Sequence, residues 1–383
     1  MAGFQSYPTP HPTPLVDEDP LNALRLIRSR RVGPATFHRL VAEHGSAAAA
    51  LAVLPGIAAA AGVEGYEICP LGVVQAEMRA GAAAGARLLV HGQAGYPAAL
   101  MDMTDAPPVL WAVGDIGLLS RPMVAMVGAR NASSLGLRMA RRLAEVLGGA
   151  GQVVVSGLAR GIDAAAHEAA LATGTVAVMA GGVDVIYPAE NAGLAAQIAA
   201  KGCVVSEQPP GLEPQARHFP LRNRIVAGLA RAVVVVEAAA KSGSLITARD
   251  AADLGRDVLA VPGHPFDARA AGCNMLIRDG ATLVRHAADV LEAIGVAAPV
   301  ERSARAEPAA QIIPDVQPQR RNLGDIASVH SLILDRLGPS PLAEDQLIRD
   351  LAMPSASVAP ALVTLELEGR IQRQAGGLLS RVN

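Results

Sequence analysis

Three short stretches of this 383-residue sequence set a cation beside small or hydroxyl residues: VGARNASSLG (127–136), FPLRNRIVAGL (219–229) and KSGSLITARD (241–250). The start of a helix carries partial positive charge and favours Asp, Glu, Ser or Thr. Arg222 and Arg224, ahead of an apolar helical run, oppose that dipole by about 0.3–1 kcal/mol each. A chain tolerates such a conflict when the cations have structural partners or when they await an anion. Arg130 with the capping hydroxyls Ser133 and Ser134, and Lys241 with Ser242, Gly243 and Ser244, suit phosphate oxygens, because guanidinium, ammonium, hydroxyl and backbone N–H all donate. The plainer alternative makes Ser133 an ordinary helix cap and Arg130 half of a surface ion pair. Asn223 lies between the two arginines, and Gly128 opens the first turn.

Other candidate chemistry is weaker. Asp163 and His167 in SGLARGIDAAAH (156–167) are four residues apart and share a helical face. They could form an acid–base pair or part of a metal site, but no third ligand or nucleophile accompanies them, and Asp163 suffices as a helix cap. Tyr187 in AGGVDVIYPAEN (180–191) is one of few aromatics available for stacking. The first turn is not GxGxxG, because Arg130 stands where a glycine must let pyrophosphate approach. The second strand ends in Ser156-Gly157 rather than a ribose-binding acid, so a dinucleotide is disfavoured. No catalytic residue, cofactor or metal site is assigned.

These loops need a scaffold. From Pro122 onward, apolar runs recur as MVAMVG, QVVVSG, TVAVMAGG, GCVVSE, AVVVVE and DVLAVPG, separated by helical segments. That alternation predicts a doubly wound, parallel α/β sheet of Rossmann-like type, with its ligand crevice beyond the carboxyl ends of the strands. The three cationic stretches then meet at one rim as a polyanion site. Ahead of the sheet, LNALRLIRSRRVGPATFHRLVAEHG predicts short helices around a Val32-Gly33-Pro34 turn. Ser46–Val63, broken by Pro55-Gly56, reads as two further short helices of a soluble domain and not as a membrane span. Toward the C-terminus, three helices near 326–337, 344–351 and 355–368 and a hairpin turning at Gly376-Gly377 make a winged-helix pattern. With seven arginines against seven acids over 320–383, that domain suits an interaction module better than a strong DNA binder. The expected order is therefore a disordered tail (1–18), a helical SAM- or helix–hairpin–helix-like domain (19–94), the α/β domain (95–295), a linker (296–322) and the winged-helix domain (323–383).

Composition limits the partners. Net charge is −2, so any nucleic-acid surface is a local patch and not a basic coat. Cys69, Cys203 and Cys273 are far apart and odd in number, which argues against a disulfide framework, and the N-terminal residues carry no secretory pattern. A cytoplasmic location is expected.

The ordered motifs VAMVGARNAS, VVVSGLARGIDAAAH, AVMAGGVDVIYPAEN, FPLRNRIVAGLA, VVVVEAAAKSGSLITARDAADLGRDVLAVPG and GCNMLIRDGA closely resemble the DNA-processing protein A family, also called DprA or Smf, from about Gly95 to Gly280. The resemblance implies single-stranded DNA binding without marked sequence preference, homodimerisation, and delivery of RecA recombinase onto DNA protected by single-strand-binding protein during natural transformation. It implies no catalytic activity. It adds Arg160, in GLARGID, to the DNA-contacting positions Arg130, Arg222, Asn223, Arg224, Lys241 and Ser242–Ser244. The rival is a nucleotide-processing enzyme similar to lysine-decarboxylase-like phosphoribohydrolases. Their PGGxGTxxE signature is not matched by KSGSLITARD, where the glutamate position reads Arg or Asp.

Overall fold

The computed structural model describes residues 19–297, 323–374 and 377–382. The expected tail, nearly all of the expected linker and Gly376 of the expected hairpin turn lie outside them. Four helices come first: α1 (Pro20–Ile27), α2 (Pro34–His44), α3 (Ala47–Ala60) and α4 (Leu71–Ala83). Pro34 opens α2 at a position where its missing N–H costs nothing, and Gly45 closes it at φ 87°. The expectation of two helices across Ser46–Val63 fails: α3 runs through Pro55. The proline lies on the exposed side, and burial of Ala50, Leu51, Leu54 and Ala58 on the other side outweighs the lost hydrogen bond. No single helix among the described residues is long and apolar enough to cross a membrane; α2 and α3 pass that test only as a pair bent by 104°.

The sheet follows with β1 (Arg87–Val90), β2 (Val109–Gly114), β3 (Met123–Val127), α5 (Ser134–Gly149), β4 (Val153–Ser156), α6 (Ile162–Ala170), β5 (Thr175–Val178), α7 (Ala192–Lys201) and β6 (Cys203–Ser206). It continues with α8 (His218–Leu229), β7 (Ala232–Val235), α9 (Ser244–Asp253), β8 (Asp257–Ala260), α10 (Ala271–Arg278), β9 (Thr282–Leu283) and α11 (Ala287–Ala293). The nine strands run in the order β1-β2-β6-β5-β4-β3-β7-β8-β9. All six apolar runs are parallel strands, and β3 to β7 are buried along their length because helices cover both faces. The sheet is not wholly parallel, however. The β1–β2 hairpin pairs antiparallel onto β6, so the sheet takes in Arg87–Val90, ahead of the expected boundary at Gly95. The order reverses at β3, which has β4 on one side and β7 on the other. A crevice therefore opens between the carboxyl ends of β3 and β7.

The helical domain and the sheet share a core. Trp111 on β2 lies against Gly81 of α4, where a Cβ would fall 2.1 Å from the ring, and its indole N–H donates to Glu77 at 2.9 Å. Glu77 also receives the Nε and Nη2 of Arg28, and the same Nη2 reaches the Glu207 carbonyl at 3.1 Å. Near this seam His91 is fully buried between the rings of His38 (4.7 Å) and Tyr96 (5.2 Å). Burial pushes the His91 imidazole down to about 4, with His38 adding to the effect, and pushes that of His167, on α6 against the sheet, down to about 3. Both lie below the ordinary 6.5, so the folded chain binds fewer protons than the unfolded one and its stability falls as pH drops below 6.5. Each histidine contributes up to ~1.4 kcal/mol per pH unit. Buried Glu207 and Glu237 are raised by desolvation and oppose this slope in the carboxylate range. Urea midpoints at pH 7.5, 6.5 and 5.5 are expected to be level over the first interval and to fall over the second; a midpoint unchanged to pH 5.5 would contradict the assignment.

The C-terminal domain comprises α12 (Leu323–Arg336), β10 (Leu342–Ala343), α13 (Glu344–Leu351), α14 (Ser355–Leu367), β11 (Ile371–Gln374) and β12 (Leu378–Arg381), a winged helix with its own core around Ile333, Leu347, Leu362 and Leu365.

Candidate nucleic-acid interface

The crevice at the reversal of strand order is a cleft of about 740 Å³. One wall is the turn from β3 to α5, which brings Gly128, Arg130 and Asn131. Opposite stands the loop from β7 to α9, with Lys241, Ser242, Gly243 and Ser244. The amino-terminal half of α8 forms the floor with Phe219, Arg222 and Asn223. Three separate crossovers thus place their cations around one space. Gly128 has to be glycine, since a Cβ would meet Ile162 at 2.7 Å and the Glu237 carbonyl at 2.9 Å.

Arg130 and Lys241 are exposed, and among the described residues neither has a carboxylate within ion-pair distance. The Arg130 guanidinium stands over the Phe219 ring, 5.6 Å from its centroid. Phe219 meets Tyr187 edge-on at 5.7 Å, and Tyr187 is 52% exposed. The cleft therefore offers a cationic tip and an aromatic face side by side. Asn223 leans toward the Gly243 carbonyl at 3.5 Å and ties the floor to the far wall.

Arg222 is buried, and its guanidinium occupies the space beside Gly157, where a Cβ would fall 0.9 Å from Nη1. It faces buried Asp163, whose carboxylate accepts from the Gly157 and Ala159 amides at 3.1 and 3.4 Å. Burial pushes Asp163 up and Arg222 pulls it back. Asp163 therefore balances Arg222 and organises the loop after β4 instead of capping α6. His167 points elsewhere, to the Thr175 hydroxyl at 2.7 Å, so the two do not pair.

Arg224 departs from the sequence reading. It points away from the cleft and is held by Glu207, by Asp105 Oδ2 at 3.5 Å and by the Asp105 carbonyl at 2.6 Å. Neutralised by its own carboxylates, it is a packing residue. Ser133 also departs from it. Its hydroxyl caps α5 by accepting from the Gly136 amide at 3.0 Å, and then donates to Glu237 Oε2 at 2.8 Å. The Ser133 amide donates to both Glu237 oxygens at 3.2 Å. The α5 terminus is therefore filled by an internal carboxylate and is not open to phosphate. In the third loop the Ser242 and Ser244 hydroxyls bond each other at 2.7 Å. Arg160 lies outside the main cleft, beside a small annex with Tyr187, and is paired to Glu190 at 3.1 Å.

Sequence reasoning missed Phe219, Glu237 and Arg269. Phe219 opens the FPLRN stretch, and its place one turn before Arg222 was the available signal. Arg269 lines the cleft from the loop between β8 and α10, outside every stretch singled out.

Residues 73–295 match the family model of DNA recombination-mediator protein A, 17–80 that of a DprA-like N-terminal HHH domain, and 316–377 that of a DprA winged helix domain. The chain is 47% identical over 198 residues to the DNA processing protein DprA of Streptococcus pneumoniae, covering 51% of this chain and 70% of that one. It is 34% identical over 312 residues to Protein Smf of Synechocystis, covering 73% and 76%. Among solved structures it resembles the DNA processing protein A of Helicobacter pylori, solved for insight into that protein's unique single-stranded DNA binding mode. The TM-score is 0.51 at 31% identity, covering 54% of this chain and 94% of that one.

Proposed function

Because the chain belongs to the DNA recombination-mediator protein A family, we propose that its cleft holds a single DNA strand and that it works without catalysis. The observation that carries this reading is the convergence of Arg130, Lys241 and Arg222, from three crossovers, on one cleft at the carboxyl rim of the sheet. Arg130 and Lys241 take phosphates; Arg222 supplies field from the floor, shared with Asp163. Phe219 and Tyr187 offer faces that accept any base, so sequence preference is weak. Gly128, Asn223 and Ser242–Ser244 shape the walls. Arg160 is an outer contact that must first leave Glu190. Homodimerisation, delivery of RecA recombinase onto strands covered by single-strand-binding protein, action in natural transformation and a cytoplasmic location rest on family membership alone.

Two cations without a carboxylate partner among the described residues neutralise about two phosphates, for which log K should fall against log salt with a slope near −1.4. Fluorescence anisotropy of labelled oligo-dT titrated from 50 to about 300 mM NaCl reads that slope directly. A flat line would remove the phosphate reading.

A further inference from the structure

Among the described residues, arginines at two places hydrogen-bond the winged-helix domain to the rim of the cleft. Arg336, the last residue of α12, donates to the Ala132 carbonyl at 2.9 Å, in the same turn that carries Arg130. Arg269, on the cleft rim, donates to the Asp335 and Leu337 carbonyls at 2.7 and 3.0 Å, at the end of α12. Its Nε and Nη2 also donate to Asp267 at 3.2 Å, and Glu237 Oε1 lies 3.4 Å from Nε as a second ion-pair partner. While the domain is docked, every nitrogen of Arg269 already has an acceptor, and at most one Nη1 hydrogen is left for a phosphate. The carboxyl end of α12 adds partial negative charge to the rim, beside Glu237 and Asp267. Docking and a polyanion therefore make opposite demands on the same guanidinium and the same field.

We propose that the winged-helix domain is a latch on the cleft, released when a phosphate chain enters. This rests on the reading that the cleft takes a DNA strand. Linkage makes the coupling reciprocal: a docked domain weakens the strand by the factor with which the strand loosens the domain. Freed of the domain, Arg269 becomes one further phosphate contact.

The test uses the full chain with spin labels on Arg138→Cys in α5 and Leu367→Cys in α14, both exposed, while the three native cysteines are buried. Saturating oligo-dT should lengthen and broaden the distance distribution. Arg336→Ala, with Arg336→Gln as a second variant, should broaden it without DNA and bind oligo-dT about five- to tenfold more tightly. A distribution identical with and without bound oligo-dT, or wild-type affinity in both variants, overturns the latch while leaving the cleft's function standing. A chain that binds no oligo-dT at all overturns the phosphate reading and the latch with it.

Discussion

Lys241→Glu is expected to lower affinity for oligo-dT by about 100-fold, and Arg130→Glu by a similar factor. A hydrogen bond between a charged group and a phosphate contributes about 1.5–3 kcal/mol, and the reversed charge adds repulsion against the strand. A loss near 2.8 kcal/mol is a factor of about 100. Both side chains are exposed and, among the described residues, have no carboxylate within ion-pair distance, so the folded state loses little. Arg278→Glu is the control: Arg278 lies in the last turn of α10, is 75% exposed, pairs with Asp279 and does not line the cleft. Anisotropy at one fixed salt concentration ranks the three variants. Equal binding by Lys241→Glu and Arg278→Glu would mean that the strand lies elsewhere.

Arg224→Ala should act in the opposite manner, costing about 3–5 kcal/mol of stability and little intrinsic affinity. Removing this guanidinium leaves Glu207 buried with only Arg28 nearby and leaves the Asp105 carbonyl without its donor. Burial already pushes Glu207 up; Arg224 is the first of the charges that hold it down. The thermal midpoint should fall by about 6–20 °C, at 2–4 °C per kcal/mol for a unit of this size. At a temperature where the variant is still folded, its oligo-dT affinity should match wild type within about twofold. Coupling Arg224→Met with Glu207→Leu should restore much of the stability, because a buried pair replaced whole by apolar groups is tolerated where a broken one is not. A stable Arg224→Ala protein that no longer binds DNA would return Arg224 to the interface.

The contrast between Arg222 and Arg224 could have been read from the letters. Residues two apart on a helix are rotated by about 200°, so only one of them can face a cleft. The six apolar runs were legible because parallel strands buried on both faces leave nearly continuous hydrophobic segments. Arg130 and Lys241 were legible because a strand end followed by small residues marks the loops from which such sheets work. The β1–β2 edge was not, since its antiparallel pairing with β6 joins residues about ninety positions apart and leaves no local pattern. Nor could the letters reveal that Glu237 reaches Ser133 across 104 positions. That contact converts an apparent phosphate seat into a filled one.

The position of Glu237 has a consequence for how a ligand must be held. Dinucleotide-binding sheets anchor a pyrophosphate on the rigid amides that open their first helix; in this protein a carboxylate sits on the Ser133 amide, and Gly136 leaves room for it, since a Cβ there would fall 2.0 Å from Oε2. A free nucleotide finds its customary berth taken, and a strand held as proposed would ride on the exposed tips of Arg130 and Lys241 further out. Such tips impose no fixed register. A polymer held as proposed would be able to move past one unit at a time without being released, as binding without sequence preference would allow.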